Sequence, residues 1–383
     1  MRSIPKIPGL VLCCGLAMCL LFGCGKDSAE AVPVLKDCPV APETAFGGVY
    51  IQESYEAFGA LGFEVGDSVD LSFSNGYEME DIPYYTGYYT EAGEALVLAD
   101  EGCSSLDVCI NYGDSLWSVA GLEEGMTVTV TMHEKAKYLD IQNARDIDYE
   151  DDRDLYPSDV VFANFREVCL GEIGEGVLYR SASPCNNVHN RAPYADDLIA
   201  EAGVAYILNL ADDEEEIAGY LREEDFDSPY FLSLYEAGKV GLHPMTMNYS
   251  SEEFRAETAD ALRDMTEHPG TYLIHCTEGK DRTGFQCMLL EAFAGAGYQE
   301  IVDDYMITYD NYYGINEASD KERYDATVES LLLPMLRELT GEDTDPAQAD
   351  LPKCAEDYLQ TIGLDDREMS ALRACLAGED TGQ

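Results

Sequence analysis

Basic residues are scarce in this chain: 23 Lys and Arg stand against 75 Asp and Glu in 383 residues, a formal net charge of −52 with a pI near 4.1. A protein that binds nucleic acid or an anionic membrane face needs a basic footprint, so both partners are excluded on composition. Histidine is rarer still, with five copies in no cluster, and no Cys-x-x-Cys pair occurs. A structural zinc site is therefore not expected. Long apolar runs are also missing, since the stretch Gly9 to Gly23 spans only 15 residues. That is too short to cross a bilayer comfortably. What the chain has is 46% hydrophobic residues and 26 Tyr, enough to build a core and to argue against wholesale disorder.

The amino terminus has the texture of an export signal. Arg2 and Lys6 precede the apolar run, which ends in Leu21-Phe22-Gly23-Cys24 before polar Gly25-Lys26-Asp27-Ser28. This resembles the lipobox of bacterial lipoproteins. The resemblance implies cleavage before Cys24, lipidation of that thiol, and an exported protein held at the bacterial cell surface only by its N-terminal lipid anchor. Nine cysteines then remain, from Cys38 to Cys375, and an exported chain permits disulfides. Cys103–Cys109 and Cys354–Cys375 are the sequence-local pairs, although connectivity does not follow from sequence.

Texture divides the chain into a signal segment (1–23), a linker (24–45), a small all-β domain (46–145), an acidic linker (146–158) and an α/β domain (159–378). In the β region, Val69-Asp70-Leu71-Ser72-Phe73 alternates and meets Asn75-Gly76, a hairpin signal, and Thr127 to Thr131 alternates again. The lead-ins Leu61-Gly62-Phe63-Glu64-Val65-Gly66-Asp67 and Gly121-Leu122-Glu123-Glu124-Gly125-Met126 echo each other. With Phe46-Gly47-Gly48-Val49 they faintly resemble the β-barrel half of the S-adenosyl-L-methionine hydroxide adenosyltransferases, and no catalytic residue carries over. Asp146 to Asp154 holds six acids in nine positions, which reads as a solvated connector. Beyond it, the apolar runs Val204 to Leu210 and Thr271 to His275 each follow a helical stretch, Tyr194 to Ala202 and Phe254 to Glu267. Such alternation predicts a mostly parallel sheet flanked by helices.

The chemistry concentrates in His275-Cys276-Thr277-Glu278-Gly279-Lys280-Asp281-Arg282-Thr283-Gly284. A cysteine directly after a strand, an arginine six positions on and a helix opening at Thr283-Gly284 describe a loop wrapped around a helix N-terminus. Successive backbone N–H groups can then face one anion, aided by the helix dipole. The same field stabilises a thiolate and makes Cys276 a nucleophile. Arg282 supplies a planar fork for two phosphate oxygens, and Thr283 is positioned to donate to the Cys276 sulfur. Gly279 and Gly284 permit the tight path. Thr277, Glu278, Gly279, Lys280, Thr283 and Gly284 are thus the expected substrate-binding set, with Cys276, Arg282 and Asp281 catalytic. No cofactor or metal is required.

This string resembles the Cys-x5-Arg-Ser/Thr signature of cysteine-dependent phosphatases. Gly279-Lys280-Asp281-Arg282-Thr283-Gly284 further resembles the atypical bacterial protein tyrosine phosphatases with lipid-phosphatase-like loops. That family's other segments appear here as Asn164-Phe165-Arg166-Glu167, Leu178-Tyr179-Arg180-Ser181 and Asp304-Tyr305. The resemblance implies a cysteine-phosphatase-like fold behind a small all-β domain, and hydrolysis of phosphotyrosine on proteins. Phosphoinositides or inositol phosphates are the alternative substrates, favoured by Lys280. A surface binding lipoprotein with a decayed phosphatase fold is the reading of another class.

Two departures stand out. The family's Asp-Leu-Arg after the strand is Asn209-Leu210-Ala211 here, and the loop His243-Pro244-Met245-Thr246-Met247-Asn248 lacks the usual acidic residue. The leaving oxygen needs a proton. Asp281 is the first candidate donor, Asp212 and Asp213 the second, and His243 the third. Arg166 and Arg180 are expected to support the site rather than to bind substrate.

Overall fold

The computed structural model describes residues 32–44, 46–90, 92–147 and 150–379. The signal segment and Cys24 lie outside them. Residues Pro33–Gln383 form one compact unit.

Its first part is a closed barrel of seven strands: β1 (Val34–Pro42), β2 (Val49–Ile51), β3 (Ser68–Phe73), β4 (Glu78–Tyr85), β5 (Ala95–Leu98), β6 (Leu106–Ile110) and β7 (Thr127–Glu134), in the order β1-β2-β6-β5-β4-β3-β7. β1 closes it by pairing with β7 on one side and β2 on the other. All neighbours are antiparallel except β4 and β5. The hairpin expected at Asn75-Gly76 joins β3 to β4, with Gly76 at φ +89°. The echoing lead-ins also have a structural counterpart: Gly66 and Gly125 both sit at φ +87°, just before β3 and β7, which pair with each other. Alternation along β7 buries Val128 and Val130, and they meet Phe58 and Phe63, stacked 4.0 Å apart, in the barrel core.

β1 corrects the expected linker 24–45. Pro33, Pro39 and Pro42 mask a strand whose register shifts between Leu35 and Cys38, with Asp37 at φ +48° in the irregularity. Pro33 precedes the strand, Pro42 ends it, and Pro39 lies one residue past the irregularity, where its missing N–H interrupts little.

The second part holds a five-stranded sheet in the order β11-β10-β12-β9-β8: β8 (Arg166–Val168), β9 (Leu178–Ser181), β10 (Tyr206–Asn209), β11 (Val240–Leu242) and β12 (Tyr272–His275). Three neighbours pair parallel, and only β8 runs antiparallel to β9. The helix Asp281–Phe293 leaves the end of β12 and is buried from Thr283 onward. Being covered on all sides, it is not amphipathic, and even its Gln286 and Glu291 are buried. Phe285 in it meets Phe254 edge-to-face at 4.9 Å and stacks on Tyr249 at 5.2 Å. Each fully buried side chain of that size contributes about 1.5–3 kcal/mol, so the helix start is anchored by packing well beyond its own propensity.

The acidic connector is not simply solvated. Asp151 pairs with Arg191 at 3.0 Å and His189 at 3.1 Å, while the Glu150 carbonyl accepts from Arg191 and from the Tyr156 hydroxyl. Composition hides this because Arg191 is remote in sequence. The local disulfide pairs are also absent: Cys103, Cys109, Cys354 and Cys375 are free thiols.

Candidate active site

Cys276 follows the last residue of β12 and is buried, 3% exposed, at the start of the loop that feeds the helix Asp281–Phe293. The loop's shape is held from outside. Gly279 adopts φ +68°, and a Cβ there would lie 2.1 Å from the Ser181 carbonyl oxygen, so only glycine fits. Its carbonyl accepts from Arg180 Nη2 at 3.0 Å and Asn164 Nδ2 at 3.2 Å, and the Glu278 carbonyl accepts from the Tyr312 hydroxyl at 2.6 Å. These bonds hold the loop at the N-terminus of the helix Asp281–Phe293, where the helix dipole favours an anion.

The three remote motifs converge on this brace. Asp304 bridges Arg166 and Arg180, each at 2.9 Å, and Arg166 also donates to Asn164 Oδ1 at 2.9 Å. Burial alone would raise the Asp304 carboxyl, but the two guanidinium charges overturn that and hold it down at about 2. Arg166 and Arg180 therefore position the loop, as expected.

Arg282 is fixed by three contacts: Nη1 donates to the carbonyls of Leu210 and Met245, both at 3.3 Å, and Nη2 donates to Thr277 Oγ1 at 3.2 Å. Its Nε is buried with no partner among the described residues. A buried, unsatisfied donor on an oriented guanidinium is costly unless an anion completes it. His275 is buried, and its Nδ1 lies 3.2 Å from the Cys276 carbonyl, which accepts only from an N–H and so fixes that tautomer. Burial, with help from the Arg282 charge, lowers this imidazole to about 4, so it stays neutral.

The remaining expected site residues divide. Lys280 pairs with Glu278 at 3.2 Å and Asp281 at 3.7 Å. Burial works against its charge, and Asp281 and Glu278 outweigh it. Gly284 packs under Tyr305, whose ring would meet a Cβ at 3.0 Å. The Thr283 hydroxyl corrects an expectation, because it is buried without a hydrogen-bond partner and does not reach the Cys276 sulfur. Helix packing around Thr283 sets its direction, which loop spacing does not convey.

The candidate acids also separate. Asp213 caps the helix Glu214–Tyr220, accepting the amides of Glu215 and Glu216. His243 is engaged by Asp264 at 3.0 Å. Asp212 is buried, accepting from Asn209 Nδ2 and the Tyr220 hydroxyl, each at 3.0 Å, which holds both its oxygens as acceptors. Asp281 lines the open cavity beside the loop. Sequence reading missed Tyr312, although tyrosines at 305, 309, 312 and 313 recur at helical spacing along one face.

The sequence model of the tyrosine phosphatase family matches residues 140–378. The chain belongs to that family. It is 26% identical over 216 residues to a tyrosine-protein phosphatase from Nostoc commune, covering 47% of this chain and 68% of that protein. Among solved structures it is similar to the core catalytic domain of the PP-IP phosphatase SIW14 from S. cerevisiae, in complex with citrate: 18% identity, 45% of this chain and 85% of that one, TM-score 0.26. TpbA from P. aeruginosa in complex with pTyr gives 19% identity, 42% and 86% coverage, and a TM-score of 0.24. The chain also covers 35% of the length of an uncharacterized conserved protein from Thermotoga maritima, at 23% identity and a TM-score of 0.22 over 24% of this chain. A tyrosine-phosphatase-like hydrolase thus follows from the family and from the site together.

Proposed function

We propose that the chain hydrolyses phosphomonoesters, foremost phosphotyrosine on proteins, through a phosphocysteine at Cys276. The observation that carries this reading is Arg282, fixed on three sides with its buried Nε left open beside the loop that starts at Cys276. In the first step the Cys276 thiolate attacks phosphorus in line, and Arg282 with the loop amides takes the equatorial oxygens. Asp281 gives its proton to the leaving oxygen as the P–O bond breaks. A water then attacks the phosphocysteine, Asp281 accepts its proton, and phosphate leaves with the thiolate restored.

Lys280, on the same side of the loop as Asp281, supports inositol phosphates or phosphoinositides as a second substrate class. The lipobox-like Leu21-Phe22-Gly23-Cys24 supports an exported, lipid-anchored protein at a bacterial surface. The deciding assay is p-nitrophenyl phosphate turnover by wild type beside Cys276→Ser. We expect at least about a 10⁴-fold loss of kcat, as when a covalent nucleophile is removed. Equal activity in the variant sinks the mechanism.

A further inference from the structure

The barrel has no role in the chemistry above, yet it faces Lys280 and Asp281 of the loop across a cavity. A cavity of about 690 Å³ lies between the phosphate loop and the barrel. On one side are Lys280 and Asp281, with Tyr309 and Tyr313 behind them; on the other are the barrel loops that carry Tyr88, Tyr89 and Tyr112. Between the walls stands Arg145, the last residue of the helix Leu139–Arg145 that leads out of the barrel. Cavities of this size, lined by aromatic rings together with polar and charged side chains, can hold a small ligand.

Arg145 differs from the other charged groups on the cavity wall. Lys280 is held by Glu278 and Asp281, and Glu338 by Arg255 at 2.9 Å. Arg145 makes no ion pair among the described residues. Its Nη2 donates to the Ser330 carbonyl at 3.3 Å, and its Nε is buried with no partner. It is thus an oriented guanidinium with open donors, like Arg282. Arg145 also shares a neighbour with Asp281. The Tyr249 hydroxyl, on the same wall, is pushed up by burial and by Asp281, while Arg145 pulls it back down. Arg145 and Asp281 of the loop therefore line one cavity.

We propose that this cavity binds the organic part of the substrate, with an aryl group between the two tyrosine walls and a second anionic group taken by Arg145. The substrate class is a phosphotyrosyl segment with an acidic side chain close to the phosphorylated residue. The tyrosine walls fit a flat ring, and a planar guanidinium binds a carboxylate by two parallel hydrogen bonds. This rests on the phosphatase reading above.

The test compares kcat/KM for two phosphotyrosyl peptides that differ only by Glu or Gln beside the phosphotyrosine. Wild type is expected to prefer the Glu peptide about tenfold, the scale of one charge-assisted contact at an accessible site. Arg145→Met should bring that ratio to near one, and Arg145→Lys should keep part of it. Tyr112→Ala should lower kcat/KM for both peptides together, several-fold more than for p-nitrophenyl phosphate. A wild-type ratio near one, or a ratio untouched by Arg145→Met at an unchanged melting temperature, overturns the proposal. So does a higher kcat/KM for a soluble inositol polyphosphate than for both peptides that Arg145→Met also removes. Failure of the chemistry itself reads out separately. Calorimetric binding of the two peptides to Cys276→Ser, with and without Arg145→Met, reports the cavity whether or not turnover occurs.

Discussion

The barrel and the phosphatase portion bury carboxylates in opposite surroundings. In the barrel, Glu43 accepts the amides of Phe46 at 2.7 Å and Gly48 at 3.4 Å, and nearby Asp107 keeps one buried oxygen without a partner. Burial first, and Glu43 second, push Asp107 up to about 6. In the phosphatase portion, Asp304 sits between Arg166 and Arg180 and is held at about 2. The first arrangement raises the carboxyl's affinity for a proton, and the second relies on buried cations. Buried ion pairs are seldom the most stabilising solution, since desolvation offsets much of their attraction. Their presence here is explained by what they carry: Arg180 ends on the Gly279 carbonyl of the loop that follows Cys276. The barrel has no such loop to hold.

Removing charge from each carboxylate should break that contrast most visibly. Asp304→Asn leaves two guanidinium groups buried against a neutral amide. The expected loss is about 3–5 kcal/mol in urea unfolding, with activity on p-nitrophenyl phosphate falling as the loop loosens. Asp107→Asn, at pH 7, should cost no stability, because it deletes a carboxylate that the fold keeps near its titration range. Trp117, the single tryptophan, packs against the barrel core and follows that part by fluorescence, while activity follows the other. Equal destabilisation by the two variants would dissolve the contrast.

A pair of glycines sharpens it at smaller scale. Gly76 in the β3–β4 hairpin and Gly279 in the phosphate loop both have positive φ, +89° and +68°. A Cβ on Gly76 meets nothing within 4 Å, whereas on Gly279 it strikes the Ser181 carbonyl at 2.1 Å. Gly76→Ala should cost about 1–2 kcal/mol of backbone strain and leave turnover alone. Gly279→Ala should cost more than that and drop kcat on the order of 100-fold, since a shift near 1 Å in a positioned group has that effect. Thermal melts and p-nitrophenyl phosphate turnover of the two variants, side by side, decide it.

How far the molecule can be read from its residues follows the same division. Local signals carried well: Asn75-Gly76 turned where expected, the apolar runs became β10 and β12, and the Cys276–Lys280 loop joined β12 to a helix. Failures came where a residue's partner is distant. β1 was hidden because its pairing with β7 spans the whole barrel and its prolines read as strand breakers. Asp151 read as solvated because Arg191 is 40 positions away. The convergence of Asn164, Arg180 and Asp304 on Gly279 is a three-dimensional fact that spacing along the chain does not hold. The barrel wall of the cavity was invisible for the same reason.

The pH response offers the smallest and most specific contrast, because the two parts should move in opposite directions. Asp107 has a folded-state value of about 6, above the ordinary aspartate range near 4. The folded barrel therefore binds this proton more tightly than the unfolded chain does. Its contribution to stability grows as pH falls from about 6 towards 4. His275 is lowered to about 4, below the ordinary histidine value near 6.5. Here the unfolded chain takes up the proton first, so stability falls as pH drops through that window, by an amount on the order of 3 kcal/mol for a fully buried ring. The two windows overlap between pH 4 and 6, and Asp107→Asn removes only the opposing contribution. Urea midpoints of that variant should therefore fall more steeply than wild type between pH 6 and 4. Parallel slopes would mean that Asp107 titrates like an exposed carboxylate, and that the barrel does not hold its acid protonated.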